Sequence, residues 1–159
     1  MVSGTRSGVA GMAISRSALR SAAAGVAGIF LLLGVLGFVP GITTGYGEMT
    51  FAGLGSGARL FGVFQTSILN NILHLLFGLV GLALARRPDG ARAYLTLGGV
   101  LNLALWIFGL AVEHHDAANF IPVNSGDTWL YLGLGLGMLA LGLTLAPRAT
   151  GAQGVRRRR

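Results

Sequence analysis

The chain has 159 residues, of which 53% are hydrophobic and only 11% are charged, and its formal net charge is +7. Soluble domains carry about 25% charged residues, so this chain has too few charged groups to cover a water-exposed surface. The high hydrophobic content excludes most disordered proteins. The absence of cysteine excludes disulfides, thiolate metal sites and cysteine nucleophiles. A small polytopic membrane protein with an all-α fold remains.

Four apolar segments are long enough to cross a membrane, which takes about 20 residues for ~30 Å of hydrocarbon. They cover about residues 21–39, 66–85, 93–112 and 128–146. All four prolines lie between or beyond these segments, where a missing N–H group does least harm. The pattern predicts a compact bundle of four transmembrane helices over residues 21–146. A basic N-terminal segment at 1–20 and a basic tail at 147–159 flank it.

The placement of arginine predicts the orientation of this bundle. Eleven of the 12 arginines precede the first segment, lie between the second and third, or follow the fourth, whereas only Arg59 lies in the other connections. The positive-inside rule therefore places both termini in the cytoplasm and the protein in the cell membrane. The arginines at 156–159 are expected to rest on anionic lipid. Because the basic charge is a topology signal, we expect no nucleic-acid partner.

Small residues are expected to hold the helices together, since lipid tails are as apolar as leucine and cannot drive helix association. Gly133 and Gly137 form a G-x-x-x-G motif in the fourth segment, and Gly78 and Gly81 lie in the second segment. These four glycines are predicted to pack helix against helix. The motifs do not say whether the partner helix belongs to the same chain, so a homo-oligomer or a membrane-protein partner stays open.

An internal repeat relates the second and fourth segments. Residues 73–84 align with residues 130–141 at about seven identical positions, most of them leucine, alanine or glycine. Both segments run from outside to inside, so the repeat favours a duplicated helical hairpin of the parallel type.

Four polar side chains lie at membrane depth, where polar groups are functional candidates by default. Asn70, Asn71 and His74 belong to the second segment, and Asn102 lies at a comparable depth in the third. One interpretation is an intramembrane hydrogen-bond cluster that holds helices together. The other makes His74 a haem ligand, a proton-relay member or part of a substrate site. Since the segments contain no second histidine and no carboxylate, we favour the structural cluster and expect no cofactor.

A second group of polar residues follows the third segment. His114, His115 and Asp116 are acceptable ligands for zinc, copper or nickel. A structural zinc site usually takes four ligands at defined spacing, and the chain has no third histidine outside the membrane. A solvated loop is therefore the preferred interpretation, and a weak metal site is the alternative.

Two stretches of the chain carry recognisable motifs. The stretch NNILHLLFG fits an N-x-x-H-x-x-x-G pattern with Asn71, His74 and Gly78, and NSGDTWLYLGLG fits a later pattern with Asn124, Asp127, Leu130, Leu132 and Gly135. With these motifs the chain resembles an uncharacterised bacterial membrane family, domain of unknown function 4383. The resemblance covers roughly residues 25–145. Tyr131 departs from it, because the family pattern has histidine there. The resemblance implies a four-span protein of a bacterial inner membrane and supplies no chemistry.

The function expected from these features is non-enzymatic. No catalytic motif stands out, so a scaffold, a subunit or an envelope-associated partner is the preferred interpretation. The alternative is a transporter or channel component for a small solute or protons, which would use the polar cluster around His74. A membrane redox or metal enzyme would need more histidines than the three in this chain.

Overall fold

The computed structural model describes residues 4–53, 55–111 and 123–145, with side chains from residue 16 onward. These residues form four α-helices and one small β-sheet. The helices are α1 (Gly4–Leu36), α2 (Ile68–Leu84), α3 (Pro88–Ala111) and α4 (Ser125–Thr144). The strands are β1 (Thr43–Thr44), β2 (Arg59–Leu60) and β3 (Phe64–Gln65), with one 3-10 turn at Tyr46–Glu48. The mostly helical architecture that the sequence predicts is therefore confirmed.

The helices differ in how well they meet the requirements of a membrane span. Within the described residues three are long and apolar enough, namely the Arg16–Leu36 part of α1, α3 and α4. The apolar helix α2 has 17 residues, which is about 25 Å of rise against ~30 Å of hydrocarbon. Helix α3 starts at Pro88, earlier than predicted, because the first position of a helix does not need the N–H group that proline lacks.

Large apolar side chains cover the outside of the helices. Leu97 of α3 is 70% exposed, Leu143 of α4 is 62% exposed and Leu32 of α1 is 60% exposed. The buried core instead includes alanine and a few larger residues, such as Ala23, Phe30, Leu95 and Met138. A surface of leucine around a core rich in small residues suits a lipid environment, where close packing replaces the hydrophobic effect.

The helices associate as two antiparallel hairpins. In the first hairpin, α1 packs along α2, so that Gly34 lies against Asn71 and Leu75 while Arg20 reaches Ala85 at the opposite end. In the second hairpin, α3 packs along α4, with Gly109 beside Thr128 and Gly142 beside Leu95 and Thr96. Tyr94 of α3 lies against Gly81 of α2 and joins the two hairpins. This pairing is what a hairpin repeat requires, and common descent of the hairpins stays a prediction.

Glycine permits close contacts within and between the hairpins, at positions that only partly coincide with the predicted ones. A methyl group added at Gly78 would lie 2.8 Å from the carbonyl oxygen of Ala27, and one added at Gly81 would clash with the Tyr94 ring of the other hairpin. By contrast, Gly133 and Gly137 are exposed on α4, and a methyl group added at either would have no neighbouring described atom within 4 Å. Within this run of glycines it is Gly135 that contacts α3, and a methyl group added there would lie 3.1 Å from the Gly99 oxygen.

The small sheet lies between α1 and α2 in the chain. It is antiparallel in the order β1-β2-β3, with Thr43 opposite Leu60 and Leu60 opposite Phe64. The turn between β2 and β3 contains Phe61 and Gly62, both with positive φ. The sequence predicts only a glycine-rich, turn-prone segment here, since strands of two residues are too short to show an alternating pattern.

Candidate functional site

A cavity of about 230 Å³ lies between the two hairpins. All four helices contribute to it. Its polar residues are Asn70 and His74 from α2, Asn102 from α3 and Tyr131 from α4, and its apolar residues include Phe30, Phe77 and Leu105. Three of the four predicted intramembrane polar residues therefore share one cavity, and Asn71 does not line it.

His74 reaches the cavity from the second turn of α2. Its ring lies 5.8 Å from the ring of Phe30, measured between centroids. Phe30 in turn packs edge-on against Phe77 at 4.6 Å, and Phe77 contacts Tyr94 at 5.1 Å. Within the described part of the chain, His74 forms no hydrogen bond to another residue. The imidazole therefore lies against a mainly aromatic and aliphatic wall of the cavity.

Asn102 is the most buried polar residue of the cavity, at 2% exposure. Its Nδ2 donates a hydrogen bond of 2.9 Å to the carbonyl oxygen of Gly98 and lies 3.8 Å from the sulfur of Met138. Its Oδ1 is buried without a hydrogen-bond donor among the described residues. An unpaired buried acceptor lowers the stability of the fold by about 1–3 kcal/mol, so a hydrogen-bond donor at this atom would be stabilising.

Asn71 belongs to a different contact, at the end of the first hairpin where α1 ends and α2 begins. Its Oδ1 accepts a hydrogen bond of 2.5 Å from the hydroxyl of Thr66, and its Nδ2 lies 3.9 Å from the sulfur of Met49. Gly37 at the end of α1 leaves the room for this side chain. The expected hydrogen bonds among Asn71, His74 and Asn102 are thus not formed within the described residues, because each asparagine finds a nearer partner.

Two further buried polar atoms lie on α3, the helix of Asn102. They are the hydroxyl of Tyr94 and Nε1 of Trp106, and neither has a hydrogen-bond partner among the described residues. Asn102 and Trp106 are four residues apart, so they lie about one turn from each other on one side of the helix. This spacing can be read from the sequence, but the burial of the Trp106 nitrogen cannot.

Asp127 is a buried carboxylate in the first turn of α4, and it forms a capping box with Asn124, the N-cap residue of this helix. The Asn124 side chain accepts from the Asp127 N–H at 3.0 Å, and Asp127 Oδ2 accepts from the N–H groups of Asn124 and Gln65 at 3.0 and 3.1 Å. Asp127 therefore ties the small sheet to the start of α4.

The predicted metal ligands His114, His115 and Asp116 lie outside the described residues. In the described ranges, no group of three histidine, cysteine or acidic side chains is placed to hold a metal ion. The weak metal site stays a prediction from the sequence.

These features define a class of protein: a mostly helical chain with three helices of membrane-spanning length and a cavity between two hairpins. The chain belongs to the family DUF4383, a domain of unknown function, whose model matches residues 20–144. The family resemblance read from the sequence is therefore confirmed. No curated protein and no solved structure shows a significant match to the chain.

Proposed function

We propose that the protein is a four-span integral protein of the cell membrane, with both termini in the cytoplasm, and that it acts without catalysis as a scaffold, subunit or envelope-associated partner. The observation that carries this proposal is the surface of exposed leucine on helices of membrane-spanning length. Helix α2, with 17 residues, lies at the lower end of the range that spans a bilayer.

Charge distribution supports the proposed orientation. The short connection between α2 and α3 contains Arg86 and Arg87, both exposed, and Arg92 follows within α3. The connection between α1 and α2 contains Arg59 and Glu48. The excess of arginine at one end of the bundle is what the positive-inside rule associates with the cytoplasmic face.

The non-catalytic role is supported by the way the buried polar groups are used. The Asp127 carboxylate is occupied by two backbone N–H groups, and Asn71 is occupied by Thr66. Both residues thereby join one element to another rather than facing a shared reaction centre.

Transport of a small solute or of protons is the second candidate. It is favoured by one observation, namely that His74 and Asn102 face the same cavity from different hairpins. The aromatic and aliphatic walls of the cavity argue against a hydrated path. If transport is the function, His74→Ala protein in liposomes keeps its stability and loses proton or solute flux, whereas Leu97→Phe on the lipid-facing surface keeps both.

Single cysteines test the four-span topology, and the native chain is a suitable background because it contains no cysteine. Gly47→Cys lies in the connection before α2 and Arg87→Cys in the connection after it, and both positions are exposed. We expect a membrane-impermeant maleimide to label Gly47→Cys in intact spheroplasts and Arg87→Cys only after lysis. Labelling of both variants in intact spheroplasts would show that α2 does not cross the membrane.

A further inference from the structure

A groove of about 380 Å³ lies between α1 and α2, at the end of the first hairpin where the arginines collect. We call it the arginine groove. It is lined by Ser17, Arg20, Ser21 and Ala24 of α1 and by Leu82 and Arg86 at the end of α2. The four residues of α1 follow the spacing of one helical face, so two hydroxyl groups and one guanidinium point along the same side.

Arg20 is held in place across this groove. Its Nε donates a hydrogen bond of 3.2 Å to the carbonyl oxygen of Ala85, just after the end of α2. The last carbonyl groups of a helix lack partners within it, so this bond both satisfies one of them and fixes the guanidinium. The two terminal nitrogens of Arg20 form no hydrogen bond to the described residues, and a second arginine, Arg86, lines the same groove.

The charges of the arginine groove are not balanced by its own walls. Among the described residues that line it, none is acidic. Asp89 lines a neighbouring groove instead, together with Arg16 and Arg92. Two guanidinium groups and two serine hydroxyls without a carboxylate form a donor-rich site, and the planar fork of arginine matches phosphate oxygens well.

The same groove borders a lipid-facing surface. Leu82 in its wall is 40% exposed, and Leu79, three residues earlier on α2, is 56% exposed. A ligand whose anionic group contacts the arginines therefore has an apolar surface directly beside it. A free anion would leave that surface unused, whereas an amphipathic anion covers both.

We propose that the arginine groove binds one anionic phospholipid, with its phosphate between Arg20 and Arg86 and an acyl chain along Leu82 and Leu79. Ser17 and Ser21 supply further hydrogen-bond donors to the headgroup. The site is distinct from the arginine tail at 156–159. It rests on the membrane location proposed above and is independent of which face of the membrane is cytoplasmic, so the cysteine-labelling experiment can fail without affecting it.

Native mass spectrometry of the full chain in mild detergent tests this site. The probes are phosphatidylglycerol and phosphatidylcholine with identical acyl chains, added at equal concentration. We expect the native protein to retain one phosphatidylglycerol, and the double variant Arg20→Gln/Arg86→Gln to retain at least about tenfold less, since each basic residue near an anionic headgroup contributes severalfold to affinity. Arg59→Gln removes one positive charge from β2, as Arg86→Gln alone does from the groove, and it should retain as much lipid as the native protein.

Two further arms separate the alternatives. Replacing the arginines at 156–159 with glutamine should leave the single retained lipid in place, and its loss would assign binding to the tail and overturn the proposal. Inorganic phosphate at millimolar concentration should not displace the lipid. Displacement of the lipid by phosphate would show that the acyl chain contributes nothing to binding, and it would overturn the proposal. Equal retention of both phospholipids, or unchanged retention by the double variant, would also overturn it. If Arg20→Gln does not fold, Arg86→Gln alone should lower retention severalfold.

Discussion

Asn71 and Asn102 show how one residue type serves two purposes in the same bundle. Asn71 accepts a hydrogen bond from Thr66 and joins the end of the connection between α1 and α2 to α2 itself. The Asn102 amide nitrogen donates to the Gly98 carbonyl oxygen of its own helix, and its Oδ1 has no partner among the described residues. From the sequence both are polar residues at membrane depth. The difference depends on side-chain rotamers and on tertiary neighbours, which the spacing of residues does not encode.

The same substitution should therefore destabilise the protein at Asn71 and have little effect at Asn102. Asn71→Leu leaves the buried Thr66 hydroxyl without its acceptor, and we expect it to lower the free energy of unfolding by about 1–3 kcal/mol. Asn102→Leu removes an unpaired acceptor and one intrahelical bond, so we expect a change within about 0.5 kcal/mol of zero. Unfolding in mixed detergent micelles, followed by circular dichroism, measures both. Equal destabilisation would show that Oδ1 of Asn102 has a partner in the membrane.

At the level of elements, the sequence predicts where the helices lie better than which faces they use. The apolar segments and the prolines locate all four helices. The glycines of α4 illustrate what is missing. Gly133, Gly135 and Gly137 occur at alternate positions, so several small-x-x-x-small pairs compete. The structure selects Gly135 for the contact with α3, because only its face meets Leu103 and Gly99.

The connection between α1 and α2 shows a second limit of what the sequence predicts. Its glycines and its Phe-Gly turn indicate a chain that reverses direction, but the small sheet depends on contacts distant along the chain. Ser56 donates to the Thr66 carbonyl oxygen, and Asp127 accepts from the Gln65 N–H across 62 positions. The second of these bonds depends on α4, and strands of two residues are too short to show an alternating pattern, so the local sequence does not reveal the strands.

Alanine substitutions distinguish the two faces of α4. Gly135→Ala places a methyl group 2.7 Å from Leu103 Cδ2, and such overpacking costs about 1–3 kcal/mol. Gly133→Ala and Gly137→Ala meet open space, and alanine favours a helix over glycine by up to about 1 kcal/mol. We therefore expect lower thermal stability for the first variant, and unchanged or higher stability for the other two. A loss of stability or of assembly in Gly137→Ala would place a partner helix on this face.

At the level of the whole molecule, the two hairpins are internally packed units joined through a narrow set of contacts. The chain passes between them in only three residues, 85–87. Beyond this link, Tyr94 of the second hairpin fits against Gly81 and Ala27 of the first, and Phe77 reaches Gly98. The cavity with His74 and Asn102 lies along the same boundary. The boundary between the hairpins thus contains a cavity, and buried polar atoms of α3 have no hydrogen-bond partner among the described residues.

A chain divided at this boundary should still assemble. Fragments 1–86 and 87–159 each contain one complete hairpin, and helices that insert independently associate afterwards by packing. We expect the two fragments, expressed together with a tag on one of them, to co-purify in mild detergent. Tyr94→Ala should lower the recovery of the untagged fragment severalfold, because it removes the side chain that occupies the space left by Gly81. Leu97→Phe, on the exposed face of the same helix, is the matched control and should leave recovery unchanged. Recovery that is independent of Tyr94 would mean that lipid or a second protein, rather than direct contact, holds the hairpins together.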